Sequence, residues 1–386
     1  MKQYLTPNYL LRGAVVLLMA VIYILLLVLA NSGWEGYTIT DSTGIEYETA
    51  RVLEVLEDNA VTDPAIEGFR RGDLELKLEL TSGRYKGDIV TVTDYLSAMY
   101  NVDVEAGDSL SVRIDTTGIG EYQVSVYNYN RAPWLIALVV VFAAALVVIG
   151  GRQGLRAFLG LVFTFVSIVF LLVPLTLRGL PAVPMTIALV AVTSLLCFWL
   201  LGGWQPKTLG AAIGCLCGVA FGALLGYLAI QAVHISAYQS DEAEALLLVQ
   251  ADTGLKMRGL FLSSILIASM GAVMDIAMSI ASAMEELSVK RPDISRKELF
   301  LSGMKVGRDA SGTMANTLVL AIAGSGFNMM LLIYSYQVSF IQLINTDFVA
   351  IELIRGIAGS LGILFAVPCV AAATALLLRQ RKPAQR

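Results

Sequence analysis

The chain has 386 residues, of which 56% are hydrophobic and 15% charged, with a net charge of −4 and a mean hydropathy of +0.71. Soluble domains run at about 45–50% apolar, so the composition excludes an ordinary soluble protein and predicts a multi-pass membrane protein. No basic face is interleaved with stacking aromatics, which excludes nucleic acid as a partner.

In chain order, the first apolar run covers residues 14–30, after Lys2 and Arg12. Val28-Leu29-Ala30 would suit a signal peptidase, but the run exceeds the usual 7–15 residues of a signal peptide, which favours an uncleaved anchor over residues 1–30. Residues 31–131 change to a period of two. In "LELKLEL" (Leu74 to Leu80) leucine alternates with Glu75, Lys77 and Glu79; "DIVTVTDYL", "DSLSVRIDT" and "EYQVSVYNYN" follow the same rule between turn segments. This predicts an all-β domain, a small barrel or sandwich, inserted after the first helix.

Residues 132–386 then predict seven more helices, at 134–150, 157–177, 184–203, 208–232, 259–283, 310–334 and 350–378, making about eight transmembrane helices in one α-helical bundle. The loops rich in lysine and arginine carry Lys2 and Arg12, Arg152 and Arg156, Lys207, then Lys290 to Arg308, then Arg379 to Arg386. With eight spans all of these fall on one side, so both termini are expected in the cytoplasm and residues 31–131 outside. Arg178, Lys256 and Arg258 are the exceptions.

The four cysteines, Cys197, Cys215, Cys217 and Cys369, lie inside apolar runs, and His234 is the single histidine. Neither a disulfide, a metal site nor a cofactor is expected. Gly210, Gly214, Gly218, Gly222 and Gly226 recur every fourth residue and make a smooth helix face, for packing inside the subunit, for a homo-oligomer interface or for sliding.

Polar residues inside the later spans are the candidates for chemistry. In "GAVMDIAMSIASAMEE" (Gly271 to Glu286), helical spacing puts Asp275, Ser279, Ser282 and Glu286 within an arc of about 60°. A carboxylate at that depth costs about 2.5–3.5 kcal/mol to insert. In "GRDASGTMANTLVLAIAGSG" (Gly307 to Gly326), Asp309, Thr313 and Asn316 share a face, with Thr317 beside them. One loop joins the two helices, so they are expected to be antiparallel neighbours, with Asp275 meeting Asn316 or Thr313 at similar depth. The group is either a hydrogen-bonded clamp or a site for a cation, a proton or a small polar solute. Ser295 and Glu298 form a capping box, which predicts a short helix along the inner surface, and Glu352 and Arg355 an i,i+3 ion pair.

The blocks "GAVMDIAMSIASAMEEL" and "SGMKVGRDASGTMANTLVLAIAG" resemble the signature of the YibE/F-like family of bacterial multi-pass membrane proteins, at Gly271, Asp275, Ser279, Ser282, Arg308, Asp309, Gly312, Thr313, Asn316 and Thr317. The resemblance implies the bacterial cytoplasmic membrane; some members are presumed permeases. No Ser–His pair, no second aspartate at matching depth and no nucleotide loop points to an enzyme. A permease is therefore expected. The alternative is a non-transporting scaffold, sensor or assembly factor whose outer β domain binds an envelope protein partner.

Overall fold

The computed structural model describes residues 21–32, 44–97, 100–117, 122–235, 243–257 and 259–378. Expectations placed on residues 14–20 of the first span, and on Lys2, Arg12, Arg258 and Arg379 to Arg386, lie outside these. The chain divides into two compact units, residues 38–145, and residues 1–37 with 146–386.

The first unit is built on one antiparallel sheet. Strands β1 (Ile45–Asp58), β3 (Arg70–Leu80), β4 (Ile89–Leu96), β5 (Ser109–Asp115) and β6 (Gln123–Tyr129) lie in the order β4-β3-β1-β5-β6, and the two-residue β2 (Val61–Thr62) pairs with β3. The outer strands β4 and β6 approach each other, so the sheet curls toward closure instead of stacking as a sandwich. The long β1 makes this possible. Its first half pairs with β5 and its second half with β3, and it shifts register twice between Val52 and Glu57. Such bulges bend a strand.

Period two holds as expected. Leu74, Leu76, Leu78 and Leu80 are all 0% exposed, while the residues between them reach the outer face. At the rim Arg70 bridges Asp58 at 2.5 Å and Asp103 at 2.8 Å, and its hydrogen bond holds the Asp58 carboxyl below the usual range. Asp94 follows Val90 and Val92 on the inward side of β4. Its Oδ2 is buried with no partner, and burial pushes the carboxyl up to about 6.

The rest is helical: α1 (Val21–Asn31), α2 (Ala132–Ser167), a π-helical turn (Ile168–Leu172), α3 (Val173–Leu177), α4 (Ala182–Gly202), α5 (Pro206–Val233), α6 (Ala243–Asp252), α7 (Leu260–Lys290), α8 (Arg296–Ser325), α9 (Phe327–Ser335), α10 (Phe340–Ile344) and α11 (Asp347–Leu377). Among the described residues five helical stretches are long and apolar enough to cross a membrane, or six if the bent pair α8–α9 is one span. Eight were expected. The difference arises at α1, described only from Val21, and at α2–α3, where two expected spans run on as one stretch of 46 residues.

That stretch would be about 69 Å long if straight, twice a bilayer core, but it breaks at Gly151. There φ is 55° and ψ −134°, a conformation open to glycine. A Cβ added to Gly154 would lie 1.8 Å from the carbonyl oxygen of Leu146. In a straight helix residues eight apart are about 12 Å apart, so the chain turns back on itself here.

Further along, Pro174 lacks the N–H that would bond the Phe170 carbonyl, and the backbone widens into the π turn just before it. Asn31 of α1 donates to that freed carbonyl at 2.8 Å. Arg178 donates to the Leu29 carbonyl at 3.0 Å and also to that of Ser32, capping the C-terminal end of α1. The exceptional positive charge thus has a structural use.

The α5 glycines pack inside the chain. Gly210, Gly214, Gly218 and Gly222 face Thr374, Val370, Ala366 and Gly362 of α11, an antiparallel pair with a four-residue period on both sides. Gly226 continues the face toward Ile265 and Ala358. Around this pair α4, α7 and α8 complete one apolar core, with Val273, Ile276, Ala277, Ile280 and Ile363 all 0% exposed. The capping box forms, with Ser295 Oγ accepting from the Glu298 N–H at 3.2 Å and Glu298 Oε2 accepting from the Ser295 N–H at 3.0 Å. It starts no separate surface helix, however: α8 runs on unbroken to Ser325. It then bends by 57° into α9 at Gly326, where Phe348 fills the space beside the backbone.

Candidate functional site

The α7 helix has two unlike faces. Its core side presents Val273, Ile276, Ala277, Ile280 and Ala281, all fully buried. Asp275 lies about 160° away from Val273 on the helical wheel and is exposed from the core. Ser279, one turn on, donates to the Asp275 carbonyl at 2.8 Å, which satisfies its hydroxyl within the helix. Ser282 is half-buried. Glu286 is bonded to Lys290 at 2.6 Å, an ordinary i,i+4 pair. Beside it Glu285 reaches Lys207 of α5 at 2.5 Å, an inter-helix ion pair that the sequence did not reveal.

The expected meeting of Asp275 with Asn316 or Thr313 does not occur. The depths agree. Gly303 and Gly307 of α8 pack on Met284 and Ile280 of α7, so the helices are antiparallel. Extending that register puts Asp275 level with Gly312 and one turn from Asn316. The facing does not agree. The buried side of α8 is Leu299, Gly303, Gly307 and Ser311, and it seats large α7 side chains in a groove of small ones. Asp309, Thr313, Asn316 and Thr317 are all exposed on the rest of the helix. Among the described residues no side-chain hydrogen bond joins the two polar stripes; Thr317 donates to the Thr313 carbonyl at 2.9 Å. The signal for this was present, because Gly303, Gly307 and Ser311 are four apart, like the α5 glycines.

Asp275 instead borders a cavity of about 430 Å³ between α7, α4 and the part of α2 beyond the Gly151 break. Arg156, Thr164, Cys197, Met274 and Met278 are among its other walls. Close packing of α2 on α4 shapes it: a Cβ on Gly160 would be 3.1 Å from Cys197 Sγ. Thr164 donates to the Gly160 carbonyl at 2.9 Å. Sequence reading missed these residues. Arg156 counted there as one of several basic loop residues and Cys197 as a small hydrophobe; the placement of α2 and α4 beside α7 brings them to the Asp275 cavity.

A second cavity, of about 220 Å³ between α8, α9 and α11, is apolar except for Glu352, whose Oε1 is held by Arg355 at 2.5 Å. The predicted i,i+3 pair is thus formed. Among the described residues no three His, Cys, Asp or Glu side chains come together as a metal centre would need. Of these two cavities, the one beside Asp275 holds charges with no ion-pair partner among the described residues.

Comparison with curated proteins and with solved structures finds no match. The family model described as YibE/F-like protein matches residues 138–380, which include Arg156, Asp275 and both polar stripes, and the chain belongs to that family.

Proposed function

We propose that this protein is an integral membrane permease whose solute site is the Asp275 cavity. One observation carries the reading: a carboxylate in an apolar helix faces open space instead of a partner side chain. An isolated charge within a bilayer is costly, and such residues face a bundle interior or a water-filled cavity. A structural clamp would have shown a bonded partner. Counting the two arms of α2–α3 on either side of Gly151, with α1, α4, α5, α7, α8–α9 and α11, as eight crossings, the loop charges support a topology with both termini in the cytoplasm and the β unit outside.

The test is thermal unfolding of the detergent-solubilised protein, wild type against Asp275→Asn, across Na⁺, K⁺, pH and small polar solutes. A ligand at a hundred times its Kd stabilises by about 2.7 kcal/mol. Stabilisation of the wild type alone is expected. Equal responses from both proteins under every condition would remove Asp275 from any site.

The second reading, a scaffold or sensor, is favoured by exposed aromatics on the β unit. Tyr47 and Tyr127 sit edge to face with centroids 5.0 Å apart, both more than half exposed. Aromatic side chains of this kind are enriched in binding surfaces. Removing residues 35–128 abolishes function on this reading and leaves solute binding intact on the first.

A further inference from the structure

The Asp275 cavity has two charged walls of opposite sign, Arg156 from α2 and Asp275 from α7. Among the described residues neither makes an ion pair or a side-chain hydrogen bond, with the other or with a third group. The neutral polar walls are already engaged, since the Thr164 hydroxyl and the Cys197 thiol both donate to the Gly160 carbonyl, at 2.9 and 3.7 Å. Most of the remaining surface is apolar, from Leu161, Ile168, Phe198 and Met270 among others. What the cavity offers a ligand is therefore one carboxylate and one guanidinium.

We propose, on the reading of this cavity as a solute site, that its ligand is a small zwitterion of amino-acid type, with its cationic end on Asp275 and its anionic end on Arg156. Each simpler ligand leaves something unanswered. A lone cation matches Asp275 but is repelled by Arg156. A lone anion has the reverse problem. A neutral solute leaves both charges without a counterion beside a mostly apolar wall. A zwitterion answers both at once, and a guanidinium suits a carboxylate through two parallel hydrogen bonds. A cavity of about 430 Å³ falls within the range of small-molecule sites.

The chain carries its own reporter, because Cys197 lines the cavity. In the full-length protein with Cys217→Ser and Cys369→Ser, and with Cys215 buried, maleimide labelling of Cys197 is timed in detergent. The probes are the twenty standard amino acids, methylamine and acetate. At ten times its Kd a ligand that covers the thiol slows labelling about tenfold. At least one amino acid is expected to do so, while methylamine and acetate do not. Arg156→Gln and Asp275→Asn should each abolish the protection and Arg156→Lys retain most of it, all with unchanged thermal midpoints in the absence of ligand. Protection by methylamine that survives Arg156→Gln would overturn the zwitterion but leave the Asp275 solute site standing. If no probe protects Cys197 and Asp275→Asn labels like the parent, both the zwitterion and the solute site are overturned.

Discussion

Neither Asp94 nor Asp275 has an ion-pair partner among the described residues, yet they pose different problems. Asp94 is surrounded by its own sheet, and burial raises its carboxyl from 3.8 to about 6. The folded state therefore favours the protonated form. The stability this contributes is complete below about pH 4 and is lost as pH rises through about 6. Asp94→Asn keeps a neutral side chain of the same shape, so it is expected to stabilise the β unit at pH 7.5 and to flatten its pH dependence between 4 and 7. The gain is on the order of 1 kcal/mol once solvent screening of a half-exposed group is allowed for. Hydrogen exchange of peptides from residues 44–129 in the full-length protein, corrected for the intrinsic exchange rate at each pH, reads it; greater protection at pH 5 than at pH 7.5 in wild type, but not in the variant, is the expected pattern. Arg178 gives a second residue-level test. Arg178→Ala removes the cap from the C-terminal carbonyls of α1. A loss of about 1 kcal/mol is expected, seen as a lower thermal midpoint, and an unchanged midpoint would mean that α1 needs no such cap.

Among the elements, the α5–α11 pair depends most on the absence of side chains. A Cβ on Gly214 would come 2.5 Å from the Val370 backbone, which cannot yield as a side-chain tip can. Gly214→Leu is expected to cost at least about 3 kcal/mol and to leave little monodisperse protein by size exclusion. Gly324→Ala, with open space around it, is the control and should behave as wild type. Gly151→Ala should cost about 1–3 kcal/mol, from the backbone conformation alone. These elements also show what could be read from the sequence. The glycine period of α5 and the leucine alternation of β3 are each written within one segment and appear as expected; the capping box before α8 forms too, but it opens a helix of 30 residues instead of a short surface one. The facing of α8 was not legible in the same way. Its polar stripe drew attention because charge stands out, whereas the contact is made by Gly303 and Gly307, whose four-residue spacing with Ser311 is a shorter run than that of the α5 glycines. The turn at Gly151 falls in the loop expected between the spans 134–150 and 157–177, although "IGGRQG" does not say which glycine takes a positive φ. Arg156 could not be assigned to the Asp275 cavity without knowing that α2 lies beside α4 and α7.

On the scale of the whole molecule, the proposed orientation predicts which residues an impermeant reagent reaches. Thr91 of the β unit and Lys305 of α8 are both exposed. In intact cells of a strain expressing cysteine at either position, a membrane-impermeant maleimide should label Thr91→Cys at once and Lys305→Cys only after lysis; the opposite order would invert the topology. The tie between α1 and the Phe170 carbonyl has a consequence for biogenesis. Asn31 and its acceptor are 139 residues apart, and synthesis proceeds at about 5–20 residues per second. For roughly 7–28 s after Asn31 is made, the first helix, on the proposed topology, waits in the bilayer with its anchor point still untranslated. Arg178, which engages the Leu29 carbonyl inside the candidate peptidase site, is made eight residues later still. On this topology any cleavage at residues 28–30 has to precede that contact, and N-terminal sequencing of the purified protein reads whether it does.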